Sequence, residues 1–79
     1  MYFVYILQSL KDKSYYTGHA KNLNIRLKRH NDGRVKSTKS KRPWKIIYEQ
    51  RFDTKQEAYR GERLIKSYKG GQAFEKLIK

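Results

Sequence analysis

The segment Tyr2-Phe3-Val4-Tyr5-Ile6-Leu7 is rich in β-branched and aromatic residues, and it is apolar on both alternating faces. A strand with one wet face would alternate, so this one needs cover on both sides and reads as the central strand of a sheet. The chain has 79 residues, which points to a single domain over residues 1–79 with one modest core. Ser9-Leu10-Lys11-Asp12-Lys13-Ser14 is polar apart from Leu10 and suits a hairpin connection. Tyr15 to Gly18 then returns as an antiparallel strand.

Asn22 is placed to cap the start of a helix, and Gly33 to end it just past Asn31-Asp32. Leu23, Leu27 and His30 share a stripe on that helix, Arg26 lies at its border, and Ile25 falls on the far side. Residues 34–43 carry Arg34, Lys36, Lys39, Lys41 and Arg42 and close on Pro43. This stretch reads as a mobile or partner-ordered basic loop. Trp44 to Phe52 alternates, with Trp44, Ile46, Tyr48 and Phe52 on one face, and is the third strand.

Thr54-Lys55-Gln56-Glu57 fits a capping box, so a second helix runs to about Tyr68 and stops at Gly70-Gly71. Its apolar arc is Ala58, Gly61, Leu64, Ile65 and Tyr68. Glycine inside a helix costs about 1 kcal/mol relative to alanine, so Gly61 suggests a close approach of helix to sheet. Gln72 to Lys79 has room for a short further helix. The order β-β-α-β-α predicts an α+β fold, a three-stranded antiparallel sheet flanked by helices.

Charge narrows the function. There are 20 Lys and Arg against 7 Asp and Glu, a formal net charge of +13. So large an excess on so small a domain predicts a polyanionic partner, nucleic acid first and an anionic membrane surface a distant second. A merely solubilising surface is the alternative. There is no cysteine, which removes disulfides and thiolate zinc sites as sources of stability. No apolar run approaches membrane-spanning length, and no basic leader precedes the apolar run at Met1-Tyr2-Phe3. A cytoplasmic protein is expected.

Several residues are candidates for chemistry. Arg26 and His30, spaced i and i+4, can reach one phosphate together, with arginine offering a planar fork and histidine a proton. They can equally serve the helix, Arg26 in an ion pair and His30 at its C-terminus. Tyr5 and Tyr16 fall on paired strands and suit packing; one of them acts as a base only where cations depress its pKa. Glu62 either pairs with Lys66 one turn on, or stands at the edge of core and solvent to hold Mg²⁺. His19 is a phosphate donor or a solvated turn residue. The Arg34 to Arg42 loop suits sequence-independent, salt-sensitive phosphate contact.

Together these residues resemble the GIY-YIG nuclease family, in particular its small stand-alone bacterial members. Phe3-Val4-Tyr5 stands where that family has Gly-Ile-Tyr, and Tyr16-Thr17-Gly18 where it has Tyr-Ile-Gly. Asn22-Leu23, Arg26, the His30-Asn31 pair and Glu62 follow in the family's order. The resemblance implies a metal-dependent DNA endonuclease of the kind used in DNA repair, with Mg²⁺ or Mn²⁺ as cofactor. It gives Glu62 the metal and Arg26 the scissile phosphate. Tyr16, and less so Tyr5, would help deprotonate the attacking water, and His30 would assist. Gly18 would let strand give way to helix. His19, Arg34, Lys36, Lys39, Lys41 and Arg42 would contact nucleic acid, DNA ahead of RNA. Phe3 replaces the motif's first glycine and no asparagine follows Asn31. The other reading is therefore a non-catalytic, basic nucleic-acid-binding module on the same fold.

Overall fold

A computed structural model of the chain describes residues 1–68 and 71–78. Strand β1 (Tyr2–Ser9) lies between β2 (Tyr15–Ala20) and β3 (Trp44–Phe52) and is antiparallel to both. Helix α1 (Leu23–Asn31) precedes a 3₁₀ turn at Lys39–Lys41, and α2 (Lys55–Ser67) and α3 (Gln72–Ile78) follow β3. This is the α+β arrangement the sequence predicts. The predicted stop at Gly70 and the end of the last helix at Lys79 fall outside the described residues.

Central position explains the composition of β1, in which Val4, Tyr5, Ile6 and Leu7 are all buried. Val4 and Ile6 face Ala58, Ile65 and Phe74, so α2 and α3 cover that side. Tyr5 and Leu7 face Ala20 and Trp44, with Leu23 and Leu27 of α1 packed beside them. Each aliphatic side chain so enclosed contributes roughly 1.5–3 kcal/mol.

The helix ends follow their local signals. Asn22 accepts the Ile25 amide at 3.1 Å. Gly33 has φ +78° and donates to the His30 carbonyl, closing α1 with a left-handed residue. Thr54 caps α2, accepting the Glu57 amide at 3.2 Å while its hydroxyl donates to the Glu57 carboxylate. Ile25 is solvent-exposed, as its place off the stripe requires.

Four expectations are corrected. The return strand runs on to Ala20, so Gly18 sits inside β2 opposite Tyr5 and makes no turn. A bulge near Ile47 breaks the alternation of β3, because Leu7 pairs with Ile46 while Ile6 pairs with Tyr48. One extra residue moves all later side chains to the other face. Trp44 and Ile46 thus join the α1 side, and Tyr48 and Phe52 the α2 side. Leu64 is 57% exposed and lies off the buried arc of α2.

Residues 34–43, finally, are a pinned loop. Thr38 is buried, and the 3₁₀ turn follows it. Buried Ser9 donates its hydroxyl to the Lys41 carbonyl at 2.6 Å, and the Leu10 amide donates to the Pro43 carbonyl. Asn31 clamps the start of β3, accepting from the Trp44 amide at 2.6 Å and donating to its carbonyl at 3.1 Å.

Gly61 does mark a close approach. A Cβ there would lie 2.8 Å from Phe52 Cζ and 3.4 Å from Val4 Cγ2. Gly61→Ala should therefore destabilise the fold although it favours the helix. Overpacking of about 1–3 kcal/mol exceeds the propensity gain of about 1 kcal/mol. Thermal unfolding should show a Tm several degrees lower, and a rise in Tm would refute the close-packing account.

Candidate active site

The centre of the candidate site is Tyr5, 2% exposed and directly opposite Gly18. A Cβ at Gly18 would lie 2.7 Å from Tyr5 Oη and 3.2 Å from Tyr16 Cε2. Glycine lets both rings lie against the backbone of the edge strand. Tyr5 and Tyr16 have ring centroids 6.4 Å apart, so the hairpin brings the two tyrosines together.

His30 lies beneath them. Its Nε2 is 3.2 Å from Tyr5 Oη, its Nδ1 is 2.7 Å from Thr38 Oγ1, and its ring centroid is 5.0 Å from that of Tyr16. A buried hydroxyl without a partner costs about 1–3 kcal/mol, so this contact makes the buried tyrosine tolerable. His30 has no exposed surface, and any part it plays passes through Tyr5. Burial pushes the Tyr5 hydroxyl well above the ordinary phenol range, with Tyr16 adding to the shift. The Arg26 charge opposes that shift, and the Glu62 charge adds to it. Burial also pushes His30 down, helped by the charges of Arg26 and Arg29.

Arg26 stands one turn before His30 on α1, half-buried. Among the described residues it makes no salt bridge, which leaves its guanidinium available to a phosphate.

Glu62 lies on the other face of the sheet. His19 sits opposite Val4 on that face, and its Nδ1 is hydrogen-bonded to Glu62 Oε1. Lys66 Nζ is 2.6 Å from Glu62 Oε2. Burial alone would raise this carboxyl, but the hydrogen bonds from Lys66 and His19 outweigh it and hold it below the ordinary range. Tyr59 packs edge-on against His19, and Arg63 lies over the Tyr59 ring. Among the described residues no hydrogen bond joins Glu62 to Tyr5, Tyr16 or His30. The Glu62 charge adds to the upward push on the Tyr5 hydroxyl, after burial and Tyr16.

The basic residues divide into separate surfaces. Lys36, Lys39 and Arg42 line an open cleft of about 460 Å³ with Lys11 and Ser40. Lys41 turns to Asp12 at 3.8 Å. Arg34 lines a different concavity, with Lys28, Arg29 and Asp32. His19 belongs with Glu62.

Sequence reasoning missed Thr38 and Lys11. Nothing local singles out a buried threonine in a basic stretch or a hairpin lysine that reaches the Ser40 carbonyl.

Among the described residues no three His, Asp or Glu side chains converge as a metal cage. What the site offers is one charged carboxylate paired with the Lys66 ammonium, which is 54% exposed, and hydrogen-bonded to the His19 imidazole. Mg²⁺ often takes one or two carboxylates and completes its shell with water and substrate oxygens, so a single divalent ion fits this donor set.

The state of His30 gives a pH dependence. The fold holds it neutral below its ordinary pKa of 6.5, where the unfolded chain binds a proton. Stability should therefore fall as pH drops below about 6.5 and be fully present above it. Thermal unfolding at pH 8 and pH 5.5 should show a smaller difference for His30→Gln than for wild type. An equal difference would place the acid sensitivity elsewhere.

Over 68 residues the chain is 44% identical to the UPF0213 proteins of Staphylococcus aureus strains Mu3 and COL, covering 85% of this chain and 82% of each relative. Among solved structures it matches the solution NMR structure of UPF0213 protein BH0048 from Bacillus halodurans, with a TM-score of 0.49 and 34% identity. That match covers 92% of this chain and 90% of the other. The model of the GIY-YIG catalytic domain matches residues 1–77, and the chain belongs to the GIY-YIG family.

Proposed function

We propose that this chain is a metal-dependent endonuclease that hydrolyses phosphodiester bonds in DNA and selects its sites by DNA shape more than by base sequence. Family membership points to nuclease-type chemistry with nucleic acid as the partner, and GIY-YIG nucleases generally use divalent metals. The reading rests on the packing around Gly18. Two tyrosines, and an arginine that makes no salt bridge among the described residues, lie on one side of the edge strand, and a charged glutamate lies on the other.

In this reading Arg26 binds the non-bridging oxygens of the scissile phosphate and neutralises the charge that builds there. Tyr16, half-buried at the same edge, would take the proton of the attacking water as its phenolate, having first given its own proton to solvent. Tyr5 is the poorer base, because burial opposes its phenolate. A bond forms between the water oxygen and phosphorus as one bridging P–O bond breaks. Glu62 would hold Mg²⁺ or Mn²⁺, which supplies positive charge to the phosphate and its leaving oxygen. Lys66 and His19 must then release at least one carboxylate oxygen. The cleft of Lys11, Lys36, Lys39 and Arg42 would hold backbone phosphates away from the reacting bond.

Supercoiled and branched DNA incubated with Mg²⁺ or Mn²⁺ provides the test. Glu62→Ala and Arg26→Ala should each lower metal-stimulated cleavage by about 10²–10³-fold. Cleavage that survives both substitutions would point to a contaminant and remove the proposal. Lys36→Ala and Lys39→Ala should weaken binding across all sequences and reduce the slope of log K against log salt by about 1 each.

One observation favours a second reading. Both Glu62 oxygens are already engaged, one by the Lys66 ammonium and one by the His19 imidazole, on the sheet face opposite the tyrosines. That suits a binding module with no need of metal. Salt-dependent binding without metal-stimulated cleavage, indifferent to Glu62→Ala, would establish it.

A further inference from the structure

Thr38 belongs to the basic loop, yet it is 1% exposed and held at three points. Its Oγ1 lies 2.7 Å from His30 Nδ1 and donates to the Val35 carbonyl at 3.3 Å. Its own carbonyl accepts from Trp44 Nε1 at 3.0 Å. Trp44 is in turn fixed by Asn31. The threonine is thus anchored by the third strand and by the end of α1, and it does not depend on His30 for its place.

The chain Thr38–His30–Tyr5 has two proton arrangements. In the first, Thr38 donates to Val35, Nδ1–H donates to Thr38, and the Tyr5 hydroxyl donates to Nε2. Every proton has an acceptor. In the second, Nε2–H donates to Tyr5 and Thr38 donates to Nδ1. The Tyr5 proton then has no acceptor, because among the described residues His30 is the hydrogen-bond partner of that hydroxyl. A buried donor left unpaired decides between the two.

We infer that Thr38 is a positioning residue, whose hydroxyl keeps the His30 proton on Nδ1 and thereby turns the Tyr5 hydroxyl proton toward His30. The Tyr5 oxygen then presents its free lone pairs to the side where Gly18 lacks a side chain and where the Arg26 charge acts. Tyr5 becomes a fixed hydrogen-bond acceptor at the edge strand, suited to orienting a guanidinium, which donates and does not accept. The consequence for cleavage rests on the endonuclease reading; the proton assignment does not.

Side-chain ¹H–¹⁵N correlation spectra of the intact chain test the assignment. Wild type should show His30 protonated at Nδ1. Tyr5→Phe, which removes the partner at Nε2, should leave that tautomer in place. Thr38→Val should convert it wholly or partly to Nε2–H, and Thr38→Ser should restore it. Wild type protonated at Nε2, a switch caused by Tyr5→Phe, or an unchanged tautomer in Thr38→Val would each overturn the inference. Should Thr38→Val fail to fold, as judged by its amide spectrum, wild type, Tyr5→Phe and Thr38→Ser still decide the matter.

In cleavage assays Thr38→Val should lower kcat by about tenfold or more with KM little changed, and Thr38→Ser should recover most of it. Equal losses in both variants would count against the hydroxyl as the determinant. A wild type with the Nδ1–H tautomer that cuts no DNA would end the endonuclease reading and leave the assignment standing.

Discussion

The absence of a side chain at Gly18 lets a tyrosine on the central strand reach the edge of the sheet. Tyr5 is buried on both sides by the logic of β1, so its hydroxyl needs room in one direction and a partner in the other. Gly18 provides the room, and His30 provides the partner. Much of the local architecture follows. α1 must extend to His30 and end soon after, at the left-handed Gly33. The loop beyond must fold back far enough to bring Thr38 against the imidazole. A methyl group at residue 18 would strike Tyr5 first, and with it the whole chain of contacts.

How much of this was legible in the sequence depends on how local each cause was. Asn22, Gly33 and the Thr54–Glu57 box act over three or four residues, and the helix ends they predict are present. The apolar run of β1 forced its central position. The errors have non-local causes. The β3 bulge arises from pairing with β1, so alternation within Trp44–Phe52 could not reveal that Tyr48 and Phe52 change face. The stretch 34–43 has the composition of a mobile loop, but Ser9, Asn31 and Trp44 hold it from distant parts of the chain. Tyr5, Tyr16 and His30 were named from the motif and do come together. That His19 would seat itself on Glu62 was not legible, since the pairing needs α2 to cross β2.

Charge has two different effects in this molecule. Three acids form lysine pairs in the described structure: Asp12 with Lys41, Asp32 with Lys28 and Glu62 with Lys66. The first two carboxylates are 45% and 40% exposed, and such pairs contribute about 0–1 kcal/mol. Glu62 is 12% exposed and has a second hydrogen-bond partner in His19, so its charge is held in place where the others are merely screened. The surplus of positive charge acts in the opposite sense on His30, which Arg26 and Arg29 help to keep neutral. A field that disfavours one more proton favours an entering phosphate.

Side chains on opposite faces of a sheet are separated by the sheet itself, and they can act on one small group only around an edge. β2 is such an edge, and it carries Tyr16 toward one face, His19 toward the other, and between them in sequence Thr17 and the bare Gly18. No hydrogen bond connects Glu62 to the Tyr5 hydroxyl, and the Glu62 charge adds to the upward push on that hydroxyl behind burial and Tyr16. The other edge strand, β3, offers nothing comparable, because its bulge turns Tyr48 and Phe52 into the α2 side and no glycine interrupts it. In the proposed reading, a phosphate approaching β2 would meet Arg26 from one face and Lys66, the partner of Glu62, from the other. In the proposed endonuclease, the two halves of the candidate site would have to meet one phosphate around this edge.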